Sequence, residues 1–192
     1  MPNTITAPSG ATCVLHLYAD LSSPGSLGVT DGRFSDDNSG NTTTRSKVWG
    51  ITAAGVTTYS VGDHTLVVIA TQNNNVYSCN NPVSIQVNFN LPTGSSIVSG
   101  TAIAAFGRNK NKTGNATHAS PFKGSAGNVG TLFPATVAAS GTSVIIPIGN
   151  PALFSGVAGN KDYYSFIVAI QLTLSNGQAY GVGHDPEMEV NM

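Results

Sequence analysis

The sequence predicts an all-β fold: an antiparallel two-sheet β-sandwich, jelly-roll-like, with about 8–10 short strands and long polar loops. Three observations carry that expectation. No stretch sustains an apolar period of 3.6 residues, so no amphipathic helix is expected. Several segments alternate apolar and polar residues with period two, as half-buried strands do. Between them stand clusters of Asn, Ser, Thr, Pro and Gly, with 22 glycines and 10 prolines in 192 residues to make the turns. The length suits one domain with a sizeable core. Residues 1–11 read as a flexible leader and 12–192 as the single β-sandwich domain.

Thr12–Leu21 is the first expected strand, with Cys13, Leu15 and Leu17 on one face and Val14, His16 and Tyr18 on the other. Ser22–Lys47 is a polar loop around a short strand near Gly28–Phe34. Lys47–Ile51 carries the only tryptophan, Trp49, and Val56–Ser60 follows. His64–Thr71 is a nearly continuous apolar run, which fits a strand covered on both sides. Gln72–Asn75 makes a turn; in Val83–Phe89 the odd positions are apolar and Ser84, Gln86 and Asn88 face the other way. Ile97–Phe106 and Val144–Ile148 are further strands, and Pro151–Gly156 has room for one helical turn.

The clearest local signal is at the C-terminal end. Tyr164, Phe166, Val168, Ile170, Leu172 and Leu174 share one face, and Asn176-Gly177 then turns the chain, as expected of a two-residue hairpin loop. That loop sets a register with Leu172 opposite Gly181, and Tyr180, Val182 and His184 on the reverse face. A reverse face so apolar reads as an oligomer interface, its partner another copy of the same chain.

Composition bounds the function. Charged residues make up 9% of the chain, against roughly 25% in an average soluble protein. Solvation therefore rests on neutral hydrogen-bonding groups, and the formal charge of −1 leaves little repulsion between copies. The same charge speaks against a nucleic-acid partner. No apolar run approaches the ~20 residues of a membrane span. The N-terminal residues lack the basic and apolar regions of a secretory signal, so a cytoplasmic location is expected, with an extracellular or virion-surface one left open. Cys13 and Cys79 read as two half-buried thiols, although one disulfide is permitted.

Catalytic signatures are missing: there is no Gly-x-Ser-x-Gly elbow, phosphate-binding Gly-rich loop or His-Glu-x-x-His. No enzyme activity and no cofactor are expected. The four histidines, His16, His64, His118 and His184, are scattered, and His16 reads as an ordinary strand residue. Asp36 and Asp37 offer oxygen ligands for calcium, but without the alternating ligands of an EF-hand they read as loop residues. Glu187 and Glu189 after Asp185-Pro186 read as charges protecting an edge strand. If the chain binds a glycan, Trp49 and Tyr77 are the candidate stacking platforms and Asn73, Asn74 and Asn75 the candidate hydrogen-bonding groups. Arg108, Lys110 and Lys112 open a long polar segment, 107–130, holding half of the chain's basic residues and suited to an anionic ligand.

One resemblance adds to this reading. Tyr164-Ser165-Phe166, Asn176-Gly177, Tyr180-Gly181 and Asp185-Pro186, with Glu187–Val190 closing, resemble the end of the bacterial inclusion-body family of the AidA and PixA type. Asp20-Leu21 and Val61-Gly62-Asp63 are fainter echoes; His184 stands where that family usually has an aromatic, and 107–130 has no counterpart there. The resemblance implies a compact β-sandwich that accumulates or self-associates inside bacteria. The expectation is therefore a non-enzymatic, self-associating homo-oligomer, with a carbohydrate-binding or lectin-like protein as the alternative and a viral or phage shell or fibre protein as a weaker one.

Overall fold

A computed structural model of the chain describes residues 3–22, 29–31, 33–35, 47–62, 64–108, 121–123, 132–184 and 187–192. The described residues are all β, without a helix. In chain order the strands are β1 (Asn3–Ala7), β2 (Thr12–Asp20), β3 (Val29–Asp31), β4 (Arg33–Ser35), β5 (Lys47–Ala53) and β6 (Val56–Gly62). Then come β7 (His64–Ile69), β8 (Thr71–Asn73), β9 (Val76–Ser78), β10 (Val83–Asn90), β11 (Ile97–Arg108), β12 (Phe122–Lys123) and β13 (Leu132–Val137). The last are β14 (Ser143–Pro147), β15 (Asn150–Pro151), β16 (Phe154–Ser155), β17 (Lys161–Leu174), β18 (Ala179–His184) and β19 (Glu187–Asn191). Two expectations change at once. Asn3–Ala7, read as part of a leader, is a strand paired with β7, and 151–156 supplies β15 and β16 instead of a helical turn. Six-residue segments such as Pro151–Gly156 are too short for periodicity to separate helix from strand.

The large sheet has eight strands, ordered β1-β7-β19-β17-β11-β13, with β18 on β17 and β3 on β18. Its spine is the 14-residue β17, whose 161–165 half pairs with β19 and whose 168–173 half pairs with β18. The second sheet has six strands, ordered β14-β10-β2-β5-β6, with β4 on β2. Small sheets β16-β9-β8 and β12-β15 account for the other paired strands among the described residues. Most pairings are antiparallel, but β1 and β19 both run parallel to β7, β10 runs parallel to β2, and β3 runs parallel to β18. An antiparallel arrangement throughout was the expectation. Parallel partners are joined through distant parts of the chain and leave no hairpin signature to read.

Alternation fixes which residues enter the core. Along β2 and β10 the odd positions are buried and the even ones half-exposed, as the sequence pattern predicts. In β7 the run Thr65–Val68 is buried at four successive positions, so side chains on both faces of this strand are covered, while β1 and β19 pair with its two edges. One apolar cluster unites Leu15, Trp49, Ile85 and Ile146 of the second sheet with Leu66, Ala104, Ile170 and Val190 of the large one. Tight turns join neighbouring strands. Ala54-Gly55 (φ 50° and 79°) links β5 to β6, and Asn74-Asn75 (φ 49° and 63°) links β8 to β9. Both are two-residue loops with positive φ throughout, the geometry that matches strand twist.

The C-terminal hairpin exists, but its register differs by one residue from the expected one. Leu174 N–H donates to Gln178 O (2.9 Å) and Gly177 N–H to Leu174 O (2.9 Å), with Gly177 at φ 81°. The loop is therefore three residues, Ser175-Asn176-Gly177, with the glycine supplying the left-handed position of a bulge. Leu172 then faces Tyr180, Ile170 faces Val182 and Val168 faces His184. Since a slip of one residue turns a strand over, Tyr180 goes to the core, 1% exposed. The proposed interface of Tyr180, Val182 and His184 is thus corrected: its strand carries Tyr180 inward. Nor is β19 an edge strand, for it lies between β7 and β17. Glu189 is buried there and accepts a 2.9 Å ion-paired hydrogen bond from Lys161 Nζ, so its charge serves an interior strand.

Candidate functional site

The predicted glycan platforms are not available on the surface. Trp49 is 0% exposed, within the core cluster, and Tyr77 is 1% exposed and stacked on Phe154 at 6.0 Å between ring centroids. Both odd-numbered strand positions face inward, and a large aromatic on the inner face gains far more by burial than by exposure. Asn73, Asn74 and Asn75 are exposed at the β8–β9 turn, where they serve its backbone geometry. Without Trp49 or Tyr77 beside them they form no platform. Arg108 ends β11, its backbone opposite Tyr164, while Lys110, Lys112, Asp36 and Asp37 lie outside the described residues. Cys13 and Cys79 are free thiols, both fully buried and more enclosed than their sequence context indicates.

A different constellation forms on the outward face of the second sheet. Register places Ser84 of β10, Val14 of β2, Gly50 of β5 and Tyr59 of β6 in one row across the strands. The next row holds Ile145, Gln86, His16 and the backbones of Val48 and Val61, and the one after it Ser143, Asn88 and Tyr18. Tyr59 is 61% exposed. Its ring tilts against that of His16, centroids 5.8 Å apart, and both lie over Gly50. A Cβ at Gly50 would come within 3.1 Å of His16 Nε2 and 3.2 Å of Tyr59 Cε1, so the glycine is what lets the two rings settle on the backbone.

The polar side chains around these rings are already tied to one another. Gln86 Nε2 donates to Asn88 Oδ1 (3.0 Å), and Asn88 Nδ2 donates to Leu17 O (3.4 Å). Asn90 Nδ2 (3.1 Å), Ser22 N (3.0 Å) and Ser22 Oγ (2.6 Å) all donate to Asp20 Oδ1. At the opposite end of the face the hydroxyls of Thr52 and Thr57 share a 2.7 Å hydrogen bond. Partial burial lowers the pKa of His16, so its imidazole is held neutral through the physiological range. The surface is a ring step beside a ladder of amides and hydroxyls, with Asp20 as its described carboxylate.

The same sheet ends at β6, which among the described residues pairs with β5 alone. Four successive residues, Val56 to Tyr59, are exposed, so both faces of this strand project past the core. In a hairpin with a two-residue loop the residues flanking the loop exchange backbone hydrogen bonds, and alternate pairs follow suit. Val56, Thr58, Ser60 and Gly62 therefore bond to β5, which turns the N–H and C=O groups of Thr57, Tyr59 and Val61 to the side away from β5.

The outward face of the large sheet has a shallow groove of about 190 Å³ lined by Ser99, Gly100, Thr101, Gln171 and Thr173. It contains hydroxyls and an amide but no titratable side chain. Among the described residues no three His, Cys, Asp or Glu side chains come together. No helix of the described residues is long and apolar enough to cross a membrane.

Tyr59, Gln86 and Asp20 are the site residues that sequence reasoning missed. Their strands are legible in the sequence, and so is the polar alternation of Ser84, Gln86 and Asn88. What brings Gln86 and Tyr59 beside His16 is the parallel β10–β2 pairing and the β2–β5–β6 order. Comparison of the chain with protein-family models, with curated proteins and with solved structures returns no match.

Proposed function

We propose that the protein is a non-enzymatic, self-associating β-sandwich, in which copies join through the edge of β6 that no described strand pairs. The finer fold reading rests on two sheets that share one apolar cluster and on β13 and β14, the outer strands of the two sheets, lying against each other.

The observation that carries the functional reading is the chemistry of β6. Its sequence, Val-Thr-Thr-Tyr-Ser-Val-Gly, has no charge and no proline and is rich in β-branched and aromatic residues. Natural edge strands are usually blunted by lysine, proline, bulges or shortness, because unpaired backbone groups recruit further strands. Other outer strands of the two main sheets do carry such features: β13 contains Pro134, β14 ends at Pro147, five-residue β1 runs into Pro8, and β3 and β4 are three residues each. An isologous antiparallel pairing of two β6 strands about Tyr59 would satisfy the outward groups of Thr57, Tyr59 and Val61 on both copies. Low charge removes the repulsion that would oppose it. The resemblance of the C-terminal stretch to the bacterial inclusion-body family is in keeping with assembly inside a bacterial cell.

The test is the mass of the particle in solution. Light scattering coupled to size-exclusion chromatography should give a dimer or larger assembly that reverts to monomer on substituting Thr57→Pro or Thr58→Lys. The first removes an outward N–H together with the exposed Thr52–Thr57 hydroxyl bond, the second adds an edge charge, and neither removes a backbone hydrogen bond between β5 and β6.

A further inference from the structure

We propose that the outward face of the second sheet binds a neutral polysaccharide chain, laid across the strands from Tyr59 towards Gln86 and Asn88. A pyranose ring offers an apolar C–H face and a rim of hydroxyls. It is recognised by an exposed aromatic ring flanked by groups that both donate and accept hydrogen bonds.

This face holds both parts. Tyr59, 61% exposed, supplies the ring, and its position is set by the His16 ring tilted against it and by the absence of a side chain on Gly50. Gln86, Asn88 and Ser84 supply amide and hydroxyl groups at alternate positions of one strand. Neighbouring strands lie about 4.8 Å apart, close to the length of one pyranose unit, so successive sugars of an extended chain would meet successive strands.

Preorganisation strengthens the case. The Gln86–Asn88 bond at 3.0 Å and the Asn88–Leu17 bond at 3.4 Å hold the amides in place before any ligand arrives. Fewer rotamers are then lost on binding. His16 is neutral, and the carboxylate of Asp20 sits at one end of the face, held by Asn90 and Ser22. An uncharged chain suits that surface better than a polyanion does.

The inference stands independently of assembly through β6, because the polysaccharide would use the face of the sheet and the copies its edge. If both hold, pairing of two β6 strands sets two such faces side by side and raises avidity without a new contact.

Affinity electrophoresis in gels containing mixed-linkage β-glucan, xylan, galactomannan or polygalacturonate tests the proposal. The full chain should be retarded by at least one of the neutral polymers. Tyr59→Ala and Gln86→Ala should each weaken that retardation about tenfold, with unchanged circular dichroism and melting temperature. Thr57→Pro, even as a monomer, should still be retarded, which separates this proposal from the assembly reading. Passage of the full chain through all the neutral gels without delay overturns it. So does retardation that survives both alanine substitutions, or retardation by polygalacturonate alone.

Discussion

Tyr180 is the residue at which the hairpin register can be weighed energetically. With the three-residue loop 175–177 it lies opposite Leu172, 1% exposed, and its Oη donates to Gln178 Oε1 at 2.8 Å. Tyr180→Ala removes a buried ring and leaves a cavity that the surrounding strands fill only in part. Large aromatic-to-alanine changes of this kind cost about 3–5 kcal/mol. In a domain of this size each kcal/mol moves the melting temperature by about 2–4 °C, so a fall of roughly 10 °C is expected. Tyr180→Phe keeps the ring and loses only the hydrogen bond to Gln178, for about 1 kcal/mol. Urea unfolding followed by the fluorescence of the buried Trp49 measures both. Had the loop two residues, Tyr180 would face outward and its truncation would cost less than about 0.5 kcal/mol. A loss that small for Tyr180→Ala refutes the register.

Three further outcomes follow from the packing. Burial pushes the Cys13 thiol up to about 11, despite the hydrogen bond with Asn81, and the Cys79 thiol up to about 12, with the Asp162 charge adding to it. Neither should react with a thiol reagent at pH 8 in the native protein, and both should react at once in guanidinium; a native-state reaction of either contradicts its placement. The folded protein holds His16 below its unfolded pKa of about 6.5. The unfolded chain therefore binds more protons, and stability should be full above that value and fall as pH drops through it. His16→Gln should flatten this limb of a stability–pH profile, and an unchanged slope assigns it to other groups. Gly100→Ala adds a methyl group that overlaps Leu172 Cδ2 and crowds Val137 Cβ at 3.1 Å. Such overpacking should cost about 1–3 kcal/mol in urea unfolding, and a neutral substitution would show that the β11–β17 contact is looser than described.

Much of this fold is legible in the amino-acid sequence because burial alternates with period two. Cys13, Leu15 and Leu17, and Val83, Ile85, Val87 and Phe89, all enter the core as their spacing implies. The apolar run of β7 announces a strand covered on both faces, and Thr65–Val68 are buried at four successive positions. Register is harder to read. Asn176-Gly177 is compatible with a two-residue loop and with a three-residue loop ending in a bulge, since each needs glycine at positive φ. One residue of difference moves Tyr180 from surface to core and takes it out of the expected interface. The candidate site was even less accessible to sequence reading, for the rings of His16 and Tyr59 are 43 residues apart and meet only because β2, β5 and β6 are neighbours. Trp49 and Tyr77 suggest ligand platforms by residue type, whereas their inward positions decide what they do.

Self-association through β6 is the central claim, and sedimentation equilibrium measures it most directly. Two-fold pairing about Tyr59 joins the outward groups of Thr57, Tyr59 and Val61 in about six backbone hydrogen bonds. Thr57→Pro deletes one donor on each copy, at about 1 kcal/mol or more apiece. The dimer dissociation constant should therefore rise at least about 30-fold, with the unfolding midpoint of the dilute monomer little changed. The wild-type chain should fit a self-association model, and Thr57→Pro and Thr58→Lys should shift it towards monomer. A wild-type chain that stays monomeric up to millimolar concentration, or an assembly indifferent to both substitutions, contradicts the account.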